Sequence, residues 1–258
     1  MRLDISPRNM WIVASRDLSR FWRYKHWLAG QVAMNLADIL IFGLIFRGIV
    51  NPALIPDYVK FITPGILALS IFISAFSIGR EVGVEVRREV THYLVSLPIS
   101  RADLIFGRIL GGVLRALIYQ SGFLVFALLI TPKHPGLTDW LLVFYTTLLL
   151  SITMSSISIS LSTSTRDFNL QATLRSVTYY IMFFVSNVFY PESVIAIRLG
   201  PAAPIVKYSP LTMATAIYRS AFGVETGVDI AFNAVGLLVW TIVISSLAFR
   251  LYSRNLGR

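Results

Sequence analysis

Three polar residues inside the first long apolar segment are the clearest candidates for chemistry in this sequence. Gln31, Asn35 and Asp38 fall at i, i+4 and i+7, so they share one face of a helix. A charge near the middle of a bilayer costs about 2.5 to 3.5 kcal/mol, so we expect Asp38 to face protein or a wet cavity. Either these residues hydrogen-bond to a neighbouring helix, with Asp38 protonated, or they line a transport path.

The rest of the sequence carries no pattern typical of catalysis or metal binding. It contains no cysteine, and its three histidines, His26, His92 and His134, lack the spacing of metal ligands. It also contains no Gly-x-x-x-x-Gly-Lys-Ser/Thr phosphate loop. We therefore expect a non-enzymatic chain with no cofactor of its own, in which any energy comes from another subunit or from an ion gradient.

Composition predicts an all-α integral membrane protein. Of the 258 residues 55% are apolar and 14% are charged. Apolar runs of about 20 residues, the length that crosses a bilayer as a helix, recur along the chain. We predict an amphipathic segment over residues 1–26 and one domain of six transmembrane helices over residues 27–258. The predicted spans are approximately residues 27–49, 61–79, 107–130, 140–162, 170–190 and 228–251.

The amino-terminal segment predicts either an amphipathic helix that lies along the membrane surface or a basic segment that simply precedes the first span. Apolar residues share one side of it, with Arg16, Arg20 and Arg23 opposite. The apolar side comprises Trp11, Ala14, Leu18, Phe21 and Trp22.

The distribution of basic residues predicts the orientation. Most of them fall in the amino-terminal segment, in residues 80–108, near Arg166 and in the tail, which places both termini in the cytoplasm. The net charge of +10 then reflects orientation and contact with anionic lipid, and not nucleic-acid binding. We expect the plasma (inner) membrane of a prokaryote.

One long charged stretch, residues 80–110, interrupts the apolar chain. It reads as a charged helix, then an apolar patch, then a break at Pro98 and a new helix started by Ser100 with Asp103 in a capping box. The apolar patch comprises Val90, Tyr93, Leu94 and Leu97. The pattern predicts a short cytoplasmic helix between the second and third spans.

Two later regions contain further patterns. Gln171, Arg175, Tyr179, Phe183 and Ser186 form a stripe on the fifth span, which is either packing or a binding face. Residues 190–218 then contain four prolines and apolar runs too short to cross the bilayer. This predicts short re-entrant helices between the fifth and sixth spans.

Residues 93–101 (YLVSLPISR), followed by Gly107-Arg108-Ile109-Leu110, resemble the coupling segment of the type-2 ATP-binding-cassette permeases. Residues 185–192 (VSNVFYPE), then Tyr208-Ser209-Pro210-Leu211-Thr212 and Arg219, are similar to a second motif of that family. The sequence departs from the family pattern at residues 88–90, where Arg-Glu-Val replaces acidic-Gly-Thr, and at Asn187 and Ser209, where Gly and Asn are common.

The resemblance implies the membrane subunit of an exporter. Two copies of a separate ATPase, holding ATP and Mg²⁺, would push on a pair of six-helix permease subunits, expected to be a homodimer although a heterodimer stays open. The coupling residues would be Val90, Tyr93, Leu94, Leu97, Pro98, Ser100 and Arg101. The path would include Gln31, Asn35, Asp38, Arg175, Tyr179 and Phe183, and the extracellular gate would include Phe189, Pro191, Glu192 and Pro210.

Other functions remain open at this stage. A secondary transporter driven by protons through Asp38 is the main alternative, and a membrane enzyme or scaffold would need a polar cluster at one membrane depth, which the sequence does not show. An apolar, aromatic path suits a drug, a lipid or another amphiphile, whereas related permeases also move polysaccharides. The sequence does not decide the cargo.

Overall fold

The computed structural model describes residues 5–23, 55–131, 135–225 and 227–256, together with isolated positions between 26 and 45. This part of the chain contains helices and no β-strand. Gln31, Asn35 and Asp38, and most of the first predicted span, lie outside the described residues.

Eleven α-helices lie within the continuous ranges that the structure describes. They are α1 (Pro7–Arg23), α2 (Tyr58–Phe76), α3 (Ile78–Arg87), α4 (Val90–Ser96), α5 (Arg101–Ile130), α6 (Leu137–Thr163), α7 (Phe168–Phe184), α8 (Glu192–Leu199), α9 (Ala203–Lys207), α10 (Pro210–Ala221) and α11 (Ile230–Leu256). A single 3₁₀ turn, Gly200–Ala202, joins α8 to α9.

Within the described ranges, four helical segments are long and apolar enough to cross a membrane: Tyr58–Arg87, Arg101–Ile130, Leu137–Thr163 and Ile230–Leu256. They correspond to the second, third, fourth and sixth predicted spans. The fifth predicted span is helical over Phe168–Phe184 only. Three short helices, α8, α9 and α10, lie between α7 and α11. Whether they enter the bilayer as re-entrant helices stays a prediction.

Local sequence explains where the helices begin. The Asp57 carboxylate caps α2 by accepting from the Val59 and Lys60 amides. Partial burial of Asp57 favours its neutral form, but hydrogen bonds from Lys60 and Val59 outweigh this and hold its pKa below the usual value. Ser100 and Asp103 form the predicted capping box at the start of α5. Asp167 caps α7 in the same way as Asp57 caps α2.

The helix pair α2–α3 runs through the centre of the bundle, and α11 lies at its edge. In the most apolar window of each segment, 89% of the α2–α3 residues are buried, against 17% for α11. A large core around α2 joins it to α5, α6, α10 and α11. A smaller core at the other end joins Val13, Val82, Leu94, Leu104 and Tyr252. This second core supports the short helix α4.

Candidate functional site

Helix α4 is a short, separately oriented element between α3 and α5. Glu89 precedes it with a φ of 56°, in the left-handed region, which ends α3 and redirects the chain. Leu97 follows it in an extended conformation, as expected for the residue before Pro98. A short helix therefore lies between the second and third predicted spans, and its cytoplasmic location stays a prediction.

The side chains of α4 divide into an inward and an outward set. Leu94 is only 3% exposed and packs in the smaller core, whereas Tyr93 is 65% exposed. Ser96 and Pro98 are also exposed, and Val90, Leu97, Ser100 and Arg101 are half-buried. A partner subunit that docked here would meet Tyr93, Ser96 and Pro98, while Leu94 fixes α4 to the bundle.

A buried ion cluster joins α1 to the two helices on either side of α4, α3 and α5. Arg108 of α5 has no exposed surface and donates from Nη1 to Asp17 Oδ1 of α1 at 2.6 Å. It also donates from Nη2 to Glu85 Oε2 of α3. Arg16 and Arg20 of α1 bind Glu85 Oε1 from the more exposed side, at 3.1 and 2.6 Å. One arginine thus joins three helices.

Burial governs the electrostatics of this cluster. It raises the pKa of the Asp17 carboxyl, and the nearby Arg108 and Arg16 guanidinium groups act in the opposite direction. A buried charge without a partner is costly, so each member of the cluster constrains the position of the others. The cluster therefore fixes α1, α3 and α5 relative to one another.

Arg115 forms a second link between these helices, about two helical turns after Arg108 along α5. Its Nη1 lies 2.8 Å from Glu81 Oε1 of α3, and its Nη2 donates to the Asp17 carbonyl oxygen at 2.6 Å. Arg115 falls inside the third predicted span, where an arginine needs either a partner or a route to the membrane surface. The structure shows that its partners are Glu81 and the backbone of α1.

Helix α1 packs closely against α5 because α5 has glycines at the contact. A Cβ on Gly107 would come within 2.7 Å of Val13 Cβ, and one on Gly111 within 3.1 Å of Asp17 Cβ. Asp103 also accepts from the Ser6 amide at 2.8 Å. Of the predicted apolar side of α1, Ala14 and Phe21 are buried, whereas Trp11 and Trp22 remain exposed, and the position of α1 along the membrane surface stays a prediction.

The serine-rich half of α6 binds the junction between α2 and α3. Ser155, Ser158 and Ser162 donate to the carbonyl oxygens of Ala75, Phe76 and Gly79, respectively. Arg175 of α7 adds a hydrogen bond to the same Gly79 carbonyl at 3.2 Å. Hydroxyl groups can approach a neighbouring backbone in this way only where the helices are close. These hydroxyl groups therefore serve helix packing, since they form hydrogen bonds both within α6 and across to its neighbours.

The polar-to-aromatic stripe of α7 faces the bundle. Gln171 and Arg175 are buried, and the Tyr179 ring stacks on Phe72 of α2 with centroids 4.9 Å apart. Phe183 in turn lies 5.1 Å from the Phe189 ring. The opposite face of α7 exposes Val177, Tyr180, Ile181 and Phe184. Tyr179 and Phe183 therefore lie on the side of α7 that packs against the bundle, and the exposed apolar side chains lie on its other side.

The residues predicted for the extracellular gate lie near the end of α7. Phe189 is buried and its carbonyl oxygen accepts from the Tyr58 hydroxyl at 3.1 Å. Pro210 is buried at the start of α10, whereas Glu192 is exposed at the start of α8 and Pro191 is half-buried.

Arg219 holds this region together. It donates to the Asn187 and Val188 carbonyl oxygens at 2.8 and 2.9 Å and to Phe61 O at 3.3 Å. The guanidinium also lies over the Phe61 ring, 3.6 Å from its centroid. Arg219 thus joins α10 to α2 and to the chain after α7.

Sequence reasoning did not identify the ion cluster. Asp17 is a single acid on a basic helix, Glu85 is one of two acids on α3, and their shared partner Arg108 lies on a third helix. A signal was present for Asp17, because it is the one acid within α1 and lies one residue from the predicted apolar side. Within the described ranges there is no group of three or more His, Cys, Asp or Glu side chains suited to a metal ion.

Comparison with known proteins gives one clear result. A family model described as an ABC-2 type transporter matches residues 8–223, which include α1 through α10. A comparison with curated protein sequences found no significant match.

Proposed function

We propose that this chain, which belongs to the ABC-2 type transporter family, is the permease subunit of an exporter driven by a separate ATPase. Membership follows from the family match over residues 8–223. The chain is thus a multi-pass membrane permease component of an ATP-binding-cassette transporter. The outward direction, the coupling to ATP and the cargo are the parts that we propose.

The arrangement of α4 is the single observation that carries the proposal. Its exposed Tyr93, Ser96 and Pro98 form a small surface, and its buried Leu94 fixes that surface to the bundle. The ion cluster joins the two helices on either side of it, through Glu85 on α3 and Arg108 on α5. A push on α4 would therefore move α3 and α5 together with α1.

The path from α4 into the membrane supports energy coupling. Helix α3 continues into α2, and three α6 serines bind the junction. Of the four candidate spans in the described ranges, α2 with α3 is the most buried, and α2 stacks on Tyr179 of α7. Motion of α4 could thus reach α7, which carries part of the proposed path. Such a lever needs a rigid connection, which the buried charges and close contacts provide.

We place the cargo path along Gln31, Asn35, Asp38, Arg175, Tyr179 and Phe183, and the extracellular gate at Phe189, Pro191, Glu192 and Pro210. The aromatic character of α7 suits a hydrophobic or amphiphilic cargo. The exposed apolar face of α7 is available to a second permease subunit, most simply another copy of this chain. We place the protein in the inner membrane of a prokaryote with both termini in the cytoplasm.

The proposal is tested by purifying the tagged full-length protein from its native membrane and identifying the chains that accompany it. We expect an ATPase with a phosphate loop, held through α4, and ATP-dependent transport in reconstituted vesicles. Tyr93→Asp should release the ATPase because it puts a charge on the docking surface. Tyr208→Asp, at an exposed tyrosine at the other end of the bundle, is the matched control.

Two results would count against the proposal. Retention of the ATPase and of coupled transport by Tyr93→Asp would remove α4 as the docking element. Transport without any ATPase that is abolished by Asp38→Asn would instead identify a proton-driven carrier, because an intramembrane carboxyl can relay protons.

A further inference from the structure

A long apolar groove lies between α10 and α11, on the peripheral side of the bundle. It has a volume of about 530 Å³. Phe232, Val235, Gly236, Val239 and Trp240 of α11 line it at i, i+3, i+4, i+7 and i+8, so they form one face of the helix, and Met213 of α10 lines it from the other side. Because α11 is mostly exposed within its apolar window, this groove opens toward the lipid.

The groove has the depth of one membrane leaflet. The twelve residues from Asp229 to Trp240 rise about 16 Å along a helix, roughly half of the hydrocarbon thickness of a bilayer. The groove begins at the amino-terminal end of α11, and the other end of α11 packs near α4 through Tyr252 and Leu256. Its length therefore matches an acyl chain that enters from the membrane surface opposite α4.

Two opposite charges flank Phe232 at the mouth of the groove. The Lys207 ammonium lies 5.2 Å from the centroid of the Phe232 ring. On the backbone side, the Phe232 amide donates to Asp229 Oδ1 at 2.9 Å. A lipid headgroup that carries both a phosphate and an ammonium with N–H donors would complement this pair, because phosphate binds lysine and the ammonium donates to carboxylate.

The walls of the groove are held by specific contacts. The Trp240 indole donates from Nε1 to the Tyr208 carbonyl oxygen at 2.9 Å, which fixes the ring along the groove. A Cβ on Gly236 would come within 2.5 Å of Met213 Sδ, so a larger residue there would push α10 and α11 apart. The groove is thus a defined feature between two packed helices.

We propose that this groove binds a phospholipid of the surrounding bilayer, with one acyl chain along Val235 and Val239 and a phosphatidylethanolamine headgroup between Lys207 and Asp229. The inference requires only that α11 crosses the membrane. It does not depend on the ATPase, the direction of transport or the cargo.

The test uses quenching of Trp240 by brominated lipid. The full-length protein, with Phe in place of Trp11, Trp22, Trp27 and Trp140, is reconstituted into phosphatidylcholine vesicles. Brominated phosphatidylethanolamine should quench Trp240 at a mole fraction about two- to fivefold lower than brominated phosphatidylcholine, the range expected for one exposed ion pair. Lys207→Ala and Asp229→Asn should each reduce this preference.

Filling the groove provides the matched comparison. Val235→Phe with Val239→Phe should abolish the preference, whereas Val243→Phe, on the exposed surface of α11 but outside the groove, should retain it. If the tryptophan-depleted protein does not fold, native mass spectrometry of the otherwise unchanged chain, with and without the filling substitutions, counts the retained phospholipid. Loss of one bound phosphatidylethanolamine on filling supports the proposal.

Three outcomes would overturn the proposal. Equal quenching by both brominated lipids would mean that ordinary boundary lipid covers the groove. The same would follow if the protein with Val235→Phe and Val239→Phe retained as many bound phospholipids as the Val243→Phe protein. A change in the number of permease subunits per particle on filling would show that a second copy of the chain occupies the groove.

Discussion

Replacement of Arg108 by Met tests whether the buried ion cluster holds α1, α3 and α5 together. The change removes the donor to Asp17 and Glu85 but keeps an unbranched side chain of similar length. Arg20→Met is the matched control, because Arg20 binds the same Glu85 carboxylate at 2.6 Å with its side chain 38% exposed.

The expected cost follows from burial. Removing one partner of a fully buried ion pair typically costs about 3 to 5 kcal/mol, because the remaining charge is left without compensation. Arg108 leaves two such carboxylates, although Arg16 stays within 3.6 Å of Asp17 and 3.1 Å of Glu85. We therefore expect Arg108→Met to cost about 3 to 5 kcal/mol. Arg20→Met should cost about 0 to 1 kcal/mol, since solvent screens an exposed pair.

The assay is the free energy of unfolding of the detergent-solubilised protein, measured in mixed micelles, together with the melting temperature. A loss of 3 to 5 kcal/mol corresponds to about 6 to 20 °C for a chain of this size. Asp17→Asn, alone and combined with Arg108→Met, completes a double-mutant cycle. The double variant should be more stable than the sum of the single losses predicts, by about 0.5 to 3 kcal/mol.

Equal losses for Arg108→Met and Arg20→Met would refute the reasoning, because burial would then not decide the strength of the interaction. Additive losses in the cycle would show that Asp17 and Arg108 do not stabilise each other.

Three further predictions concern other contacts of the bundle. Leu94→Ala should cost about 2 to 5 kcal/mol of stability because it leaves a cavity in the smaller core. Tyr93→Ala should stay within about 0.5 kcal/mol in the same unfolding assay, and similar losses for both would contradict the proposed orientation of α4. Gly79→Ala places a Cβ 2.5 Å from the Ser158 carbonyl oxygen and should cost about 1 to 3 kcal/mol. Gly122→Ala, with nothing within 4 Å, should be neutral or slightly stabilising, and a thermal shift that ranks these two glycine variants in reverse would exclude close α3–α6 packing. Arg219→Met should cost at least about 2 kcal/mol because buried carbonyl oxygens lose their donor. Glu225→Gln, 3.8 Å from Arg219 and partly exposed, should cost much less by chemical unfolding, and equal losses would make the Glu225 pair, and not the carbonyl contacts, the main role of Arg219.

Much of the region around α4 could be predicted because its signals are local. The break at Pro98 and the capping box of Ser100 and Asp103 depend on residues within a few positions of each other. They therefore predict the short helix and its boundaries from the chain alone. Asp57 and Asp167 cap α2 and α7 through contacts that are equally local, although the spans were predicted to start at residues 61 and 170.

The roles of the individual side chains could not be predicted in this way. Tyr93 and Leu94 are adjacent and both apolar in character, yet one is exposed and the other buried, because α4 packs on helices that are distant in sequence. Helical spacing likewise gives the stripe on α7 but not the helix that it faces. Only the position of α2 shows that Tyr179 stacks on Phe72.

The sequence by itself determined that this is an all-α membrane protein, and the family resemblance indicated its place among type-2 permeases. Hydropathy, prolines and caps act over one helix, so they can be interpreted without knowledge of the rest of the chain. The tertiary structure alone decided that Arg108 joins Asp17 and Glu85 and that α6 serines bind the α2–α3 junction. Such contacts depend on which faces of distant helices meet, and spacing along one helix does not specify its neighbour.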